Sequence, residues 1–205
     1  MRLPNTEHTS RPWRIHELAP DFRLEDVWAL PTPGGPGDLS RLVEMMASRR
    51  PSGGSSRASR ALFATRWKLG ALLRLDHAEA GLGARVPSLR DRLPGDLRDG
   101  PRGPDWTGKP FAPVYLLGDE FAAEIANQTV HAIMHLGWVS DETGGYRGQM
   151  AVLVKPNGLL GTAYVAAIKP FRHLIVYPPL MRQIGRDWRS GAGDPAHSRD
   201  KGRAA

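Results

Sequence analysis

Hydrophobic and polar side chains alternate along the second half of the chain, a pattern typical of β-strands. At residues 130–138, Met134 and Trp138 fall on one side of the predicted strand, and His131 and His135 fall on the other. Patterns of this kind predict five strands, at residues 22–28, 113–117, 121–126, 130–138 and 149–155. Short turns connect the later strands, which predicts an antiparallel sheet with one packed face and one face more open to water.

Apolar residues at helical spacing predict three helices around this sheet. Asp38 is a suitable N-cap for a short helix at residues 39–46, and a second helix is predicted at residues 59–75. A long C-terminal helix is predicted from Leu159 to Tyr177, with a kink or restart at Pro170. We expect its polar side chains Lys169, Arg172 and His173 to point away from an inward face made of Leu160, Tyr164, Ile168, Phe171 and Ile175.

The order of these elements predicts a single α+β domain at residues 11–190, with two helices after the first strand. A chain of 205 residues is long enough to bury a sizeable core. The 23 glycines and 18 prolines concentrate in a few loops, which indicates long connections between folded elements. Residues 1–10 are predicted to be a flexible N-terminus, and residues 191–205 a disordered basic tail.

Several classes of site and location are excluded or disfavoured by composition. The chain has no cysteine, which excludes disulfides, thiolate nucleophiles and cysteine-bound metals. The N-terminus lacks the apolar run of a secretory signal, and charged residues and prolines interrupt the most apolar stretch, at residues 159–181. We therefore expect a cytoplasmic protein without a transmembrane segment; oligomeric state is left open.

The net charge of +7 is concentrated in a strip at residues 49–74, which contains seven basic residues and no acidic one. One hypothesis is that this strip docks on anionic lipid or nucleic acid through Arg57, Arg60, Trp67, Lys68 and Arg74. The alternative, a solvated helix face, is favoured because the aromatic residues are too few and too scattered for a base-stacking platform. Nucleic acid is therefore not an expected partner.

His131 and His135 have the spacing of a helical metal motif. On a strand, however, residues four apart are separated by about 13 Å, too far to share one ion. We expect the two histidines to be partly exposed and structural, and we expect no metal and no cofactor. Glu124 is predicted to be solvated, and the pairs Asp119–Glu120 and Asp141–Glu142 to be turn or strand-end acids. No catalytic residue is predicted.

Five stretches of the chain together resemble one bacterial family of unknown function within the START, Bet v 1 and polyketide-cyclase superfamily, also called SRPBCC. These stretches are Pro12–His16, Arg85–Leu93, Asn127–Trp138, Tyr146–Val154 and Lys155–Arg186, of which the last is the strongest match. The resemblance covers residues 10–190. It implies a helix-grip fold, in which a curved antiparallel sheet packs on a long C-terminal helix, often around an apolar cavity.

The apolar side of the predicted strands and the inward side of the C-terminal helix form a wall without ionisable groups. This wall is either a filled core or the lining of a cavity for a hydrophobic, lipid-like or aromatic molecule, and the resemblance raises the weight of the cavity. Because the wall lacks ionisable groups, it favours a binding protein over an enzyme. An alternative is a polyketide-cyclase-like enzyme that uses His131, His135 or Glu124. If the strands are shifted by one residue from the predicted register, these side chains face the cavity and the enzyme becomes the favoured interpretation. The predicted lining is Phe121, Ile125, Met134, Trp138, Met150, Val154, Tyr164, Ile168 and Phe171.

Overall fold

The computed structural model describes residues 1–48, 82, 86–106, 109–127, 129–141 and 143–191, apart from the side chains of Leu160, Tyr164 and Phe171. The basic strip at residues 49–74, the helix predicted at residues 59–75 and nearly all of the predicted tail lie outside the described residues.

Six antiparallel strands form one open sheet with the order β1-β2-β6-β5-β4-β3. Five of them lie where the alternation predicts strands. The sixth is a short edge strand, β1, in the N-terminal stretch that the sequence predicts to be flexible; it pairs with β2 through Arg2 and Leu3. The strands are β1 (Arg2–Leu3), β2 (Arg23–Ala29), β3 (Ala112–Leu116), β4 (Glu120–Ala126), β5 (Val130–Ser140) and β6 (Tyr146–Pro156).

Helices lie on both faces of this sheet. Three are short: α1 (Thr6–Thr9), α2 (Arg14–Leu18) and α4 (Gly95–Arg98), the last preceded by a 3₁₀ turn at Leu89–Arg92. The longer ones are α3 (Leu39–Ser48), α5 (Gly158–Phe171) and α6 (Tyr177–Arg189), with a π-helical turn at Arg172–Val176 between α5 and α6.

The sheet face that carries Trp28, Phe121, Met134 and Met150 is named the front face. These side chains form one buried cluster with α3 and α6. Helix α3 fits this position because its buried residues recur at helical spacing and form a single apolar stripe. From α6 the cluster receives Tyr177, Met181, Ile184 and Trp188.

The opposite face, named the back face, carries Val27, Ile133, Ala151 and Leu153. It is buried as well, because α1, α2 and residues 89–98 cover it with Ile15, Leu18, Leu89, Leu93 and Leu97. The prediction that one face is open to water was therefore wrong. Strand alternation shows which residues share a face, but elements distant in the chain decide whether that face is covered.

The C-terminal helix changes its winding after Pro170, close to the predicted kink. Proline has no N–H to donate to the preceding helical turn, and the wider π-helical turn follows directly. This turn changes which side of the helix each later residue occupies. Ile175, predicted to face inward, is 39% exposed, so that part of the prediction was wrong.

Candidate functional site

A β-bulge at Glu25 places two adjacent carboxylates under the C-terminal helix. Leu24 pairs with Leu153 and Asp26 pairs with Val152, so Glu25 is the extra residue on β2. Glu25 and Asp26 are both buried. Glu25 accepts hydrogen bonds from Lys169 Nζ at 3.2 Å and Arg23 Nε at 2.5 Å. The bulge thus turns both acids toward the same helix.

Asp26 is the centre of a polar cluster with Arg172, His173 and Tyr177, named the Asp26 group. Its Oδ1 accepts a hydrogen bond from His173 Nε2, and its Oδ2 accepts from Arg172 Nη2 and, at 3.2 Å, from the Tyr177 hydroxyl. Burial raises the pKa of Tyr177, which keeps the phenol protonated as a donor. The ring of Trp28 borders the group, 4.6 Å from Tyr177 and 6.1 Å from His173 between ring centroids.

The prediction that Lys169, Arg172 and His173 point away from the inward face of the C-terminal helix was wrong. Two local irregularities, the bulge in β2 and the π-helical turn, bring these side chains against Glu25 and Asp26. One signal in the sequence pointed to this arrangement: charged residues within an apolar helical stretch need charged partners if the helix packs on the domain.

Next to the Asp26 group, the front face contains apolar side chains that stay partly exposed. Ile125, Ala132 and Val152 are half-buried, although β5 and β6 are central strands. Val152 lies beside Asp26 in the sheet, and Ala132 lies beside Ile125. We name these three residues the open half of the front face, in contrast to the buried cluster under α3 and α6.

Six of the nine predicted lining residues lie on the front face of the sheet, and the other three lie on α5. Phe121, Met134, Trp138 and Met150 belong to the buried cluster, and the indole N–H of Trp138 donates to the carbonyl of Gly35 at 2.8 Å. Ile125 belongs to the open half, and Val154 is a buried neighbour of Ala132. On α5, Ile168 is half-buried. Tyr164 and Phe171 are on the same helix, but the structure describes only their backbones.

On the back face, His131 and Glu124 form a buried pair. His131 Nε2 donates to Glu124 Oε2 at 2.7 Å, and the carboxylate also accepts from Ser88 Oγ at 2.5 Å and the Leu89 amide at 3.0 Å. Burial alone would raise the pKa of Glu124, but these hydrogen bonds lower it overall. Predicting a solvated Glu124 and a partly exposed His131 was therefore wrong, because residues 86–98 cover this part of the sheet.

A second buried chain of polar groups links β4 and β5 to the N-terminus. His135 Nε2 lies 2.9 Å from Glu120 Oε2, which also accepts from the Tyr115 hydroxyl at 3.0 Å. The other ring nitrogen of His135 meets Nε2 of His8 at 3.1 Å. Burial lowers the pKa of His135 and lowers that of His8 to about 2, so both rings are neutral. The prediction of a partly exposed His135 was wrong, because α1 and α2 lie over it. Glu120 is the first residue of β4, which confirms its predicted place at a strand end, and its side chain is buried.

Asp141 is a turn residue, as its predicted role requires. Its Oδ1 accepts from the Thr143 amide at 2.9 Å and the Gly145 amide at 3.0 Å. The residues that the structure describes contain no cluster of three or more His, Cys, Asp or Glu side chains arranged to hold a metal ion. None of their helices is both long enough and apolar enough to cross a membrane.

These features define a protein of mixed helices and strands, built on an open six-stranded antiparallel sheet and ending in a C-terminal helix. A family model described as "Protein of unknown function (DUF2867)" matches residues 18–179, and the chain belongs to this family. No curated protein and no solved structure matches the chain.

Proposed function

We propose that this protein binds a small hydrophobic molecule between α5 and the open half of the front face. The observation that carries this proposal is the partial exposure of Ile125, Ala132 and Val152 on central strands, next to front-face side chains that are buried under α3 and α6. Apolar side chains that line a concave surface gain free energy when a ligand removes them from water, at about 25 cal/mol per Å².

The attachment of α5 supports this location. Near its start, a Cβ atom on Gly161 would lie 2.2 Å from the carbonyl oxygen of Thr129, so only glycine allows such close contact with the start of β5. Near its end, Lys169 pairs with Glu25. Since α5 is held at both ends, its position does not require every side chain along its middle to pack on the sheet. Val165 is buried there, and Ile168 is half-buried. This is the arrangement that a helix-grip protein of the START and Bet v 1 superfamily would have, and we extend the proposal to that fold.

A catalytic role for His131, His135 or Glu124 is less well supported. Each of these residues is at most 1% exposed, and each side chain is hydrogen-bonded to another buried group on the back face. Their geometry suits a structural role, and we therefore propose binding without turnover.

A fluorescence titration with N-phenyl-1-naphthylamine, a neutral apolar probe, tests the proposal. We expect the purified protein to bind the probe with a rise in emission. Ala132→Met, which fills the open half, is expected to weaken binding at least tenfold. The matched control is Ala163→Met, which adds the same side chain at an exposed position on α5 and is expected to leave affinity unchanged. Absence of probe binding, or equal affinity in all three proteins, would overturn the proposal.

A further inference from the structure

Two buried hydrogen-bond donors beside the Asp26 group lack an acceptor. Arg172 uses Nη2 to bind Asp26, but its Nε has no partner among the described residues, and the same is true of the indole Nε1 of Trp28. A buried N–H without an acceptor costs about 1–3 kcal/mol, so native proteins rarely leave one unless another molecule satisfies it. Both donors border one polar cluster, which adjoins the open half of the front face.

The charges around these donors favour an anion. Glu25 and Asp26 supply two carboxylates, and Arg23, Lys169 and Arg172 supply three permanent cations. These five residues together have an excess of one positive charge, before His173 of the Asp26 group is counted. The Arg172 side chain is only 17% exposed, so its charge acts at a lower effective dielectric than in water and attracts a negative group more strongly. Arg23 and Lys169, which are 64% and 43% exposed, contribute less because solvent screens them.

We infer that the ligand is a hydrophobic carboxylic acid, whose carboxylate accepts hydrogen bonds from Arg172 Nε and Trp28 Nε1 while its apolar part covers Ile125, Ala132 and Val152. This inference rests on the proposed function and specifies the chemical class of its ligand. A carboxylate suits the donors because its two oxygens can accept one N–H each, and a bond from a guanidinium is charge-assisted. An alcohol lacks the charge, and an ammonium group has no lone pair with which to accept a hydrogen bond from either donor.

Three compounds with the same ten-carbon chain and different head groups are compared by how well each displaces N-phenyl-1-naphthylamine. The comparison separates the contribution of the head group to affinity from that of the apolar chain. At pH 7.5 and constant ionic strength, we expect decanoate to bind at least tenfold more tightly than 1-decanol, and decylammonium to bind most weakly. If the probe itself does not bind, the proposed function is wrong. If the probe binds but 1-decanol displaces it as well as decanoate does, the proposed function stands and the acid specificity is wrong.

Two conservative variants test the named donors. Arg172→Lys keeps a positive charge beside Asp26 but removes the guanidinium Nε, and Trp28→Phe removes the indole N–H but keeps an aromatic ring. Each is expected to reduce the preference for decanoate over 1-decanol at least threefold, with 1-decanol affinity changed less than twofold. Trp13→Phe is the matched control, because Trp13 Nε1 is also buried and unpartnered among the described residues but lies on the back face. An unchanged preference in both variants, or an equal loss in Trp13→Phe, would overturn the inference.

Discussion

His8 Nε2 donates a hydrogen bond to His135 Nδ1 across 3.1 Å, and neither side chain is exposed to solvent. The direction of this bond follows from the charge on Glu120. An ionised carboxylate only accepts, so His135 must donate to it through Nε2. Nδ1 of neutral His135 is then an acceptor, and His8 supplies the proton. This chain connects the N-terminal segment to the centre of the sheet.

The neutral state of both histidines makes stability depend on pH. In the unfolded chain they bind protons below about pH 6.5, whereas the folded pKa of His8 is about 2 and that of His135 is lowered. The unfolded state therefore takes up more protons as pH falls, and stability is lost by up to about 1.4 kcal/mol per pH unit for each histidine. Urea unfolding at pH 7.5, 6.0 and 5.0 measures this loss. An NMR titration that finds His8 protonating near pH 6.5 in the folded protein would contradict it.

Glu124 joins residues 86–98 to the sheet, and its removal is expected to be destabilising. Glu124→Ala leaves His131, Ser88 and the Leu89 amide without their acceptor, which we expect to cost about 3 kcal/mol of unfolding free energy. Urea denaturation at pH 7.5 provides the measurement. Glu17→Ala is the control, since the Glu17 side chain is 72% exposed, and it should change stability by less than about 0.5 kcal/mol. Equal stability of the two variants would show that Glu124 does not stabilise the contact between residues 86–98 and the sheet.

The two parts of the front face should respond differently to a larger side chain. Ala123 is fully buried beside Met134, so Ala123→Met is expected to overpack the core and cost about 1–3 kcal/mol. Ala132 is half-buried in the open half, and Ala132→Met should cost less than about 0.5 kcal/mol. Thermal unfolding of both variants compares them directly. Comparable losses in Tm would mean that the open half is already filled.

Gly161 is expected to resist replacement although it lies in a helix. Alanine is usually the better helix former by about 1 kcal/mol, but its Cβ atom would collide with the Thr129 carbonyl oxygen, which is part of the backbone. Gly161→Ala should therefore destabilise the protein by more than 1 kcal/mol and raise hydrogen exchange in α5. The control is Gly95→Ala in α4, where a Cβ atom meets nothing within 4 Å. If Gly161→Ala stabilises the protein, the contact between α5 and the Thr129 carbonyl is contradicted, because α5 must then lie farther from β5.

A carboxylate at position 26 is expected to hold the π-helical turn in place. Asp26→Asn keeps the shape of the side chain but removes the charge that pairs with Arg172 and His173. We expect a loss of about 3 kcal/mol in stability, because the Arg172 guanidinium remains partly buried without an anion and His173 loses a carboxylate acceptor. Hydrogen exchange should rise at residues 172–177 before it rises in α3. Uniform exchange across the domain would indicate that Asp26 has no local role.

The sequence by itself determined the positions of five strands, the sharing of one face by Phe121, Met134, Trp138 and Met150, and helix α3. These features follow from local periodicity, which side-chain direction imposes on every strand and helix. Only the tertiary structure decided that Glu124, His131 and His135 are buried, because their cover comes from residues 1–18 and 86–98. It also decided the contact between Asp26 and His173, which requires a bulge in β2 and a π-helical turn 147 residues away. Irregularities of this kind break the regular period, and packing between distant segments stabilises them.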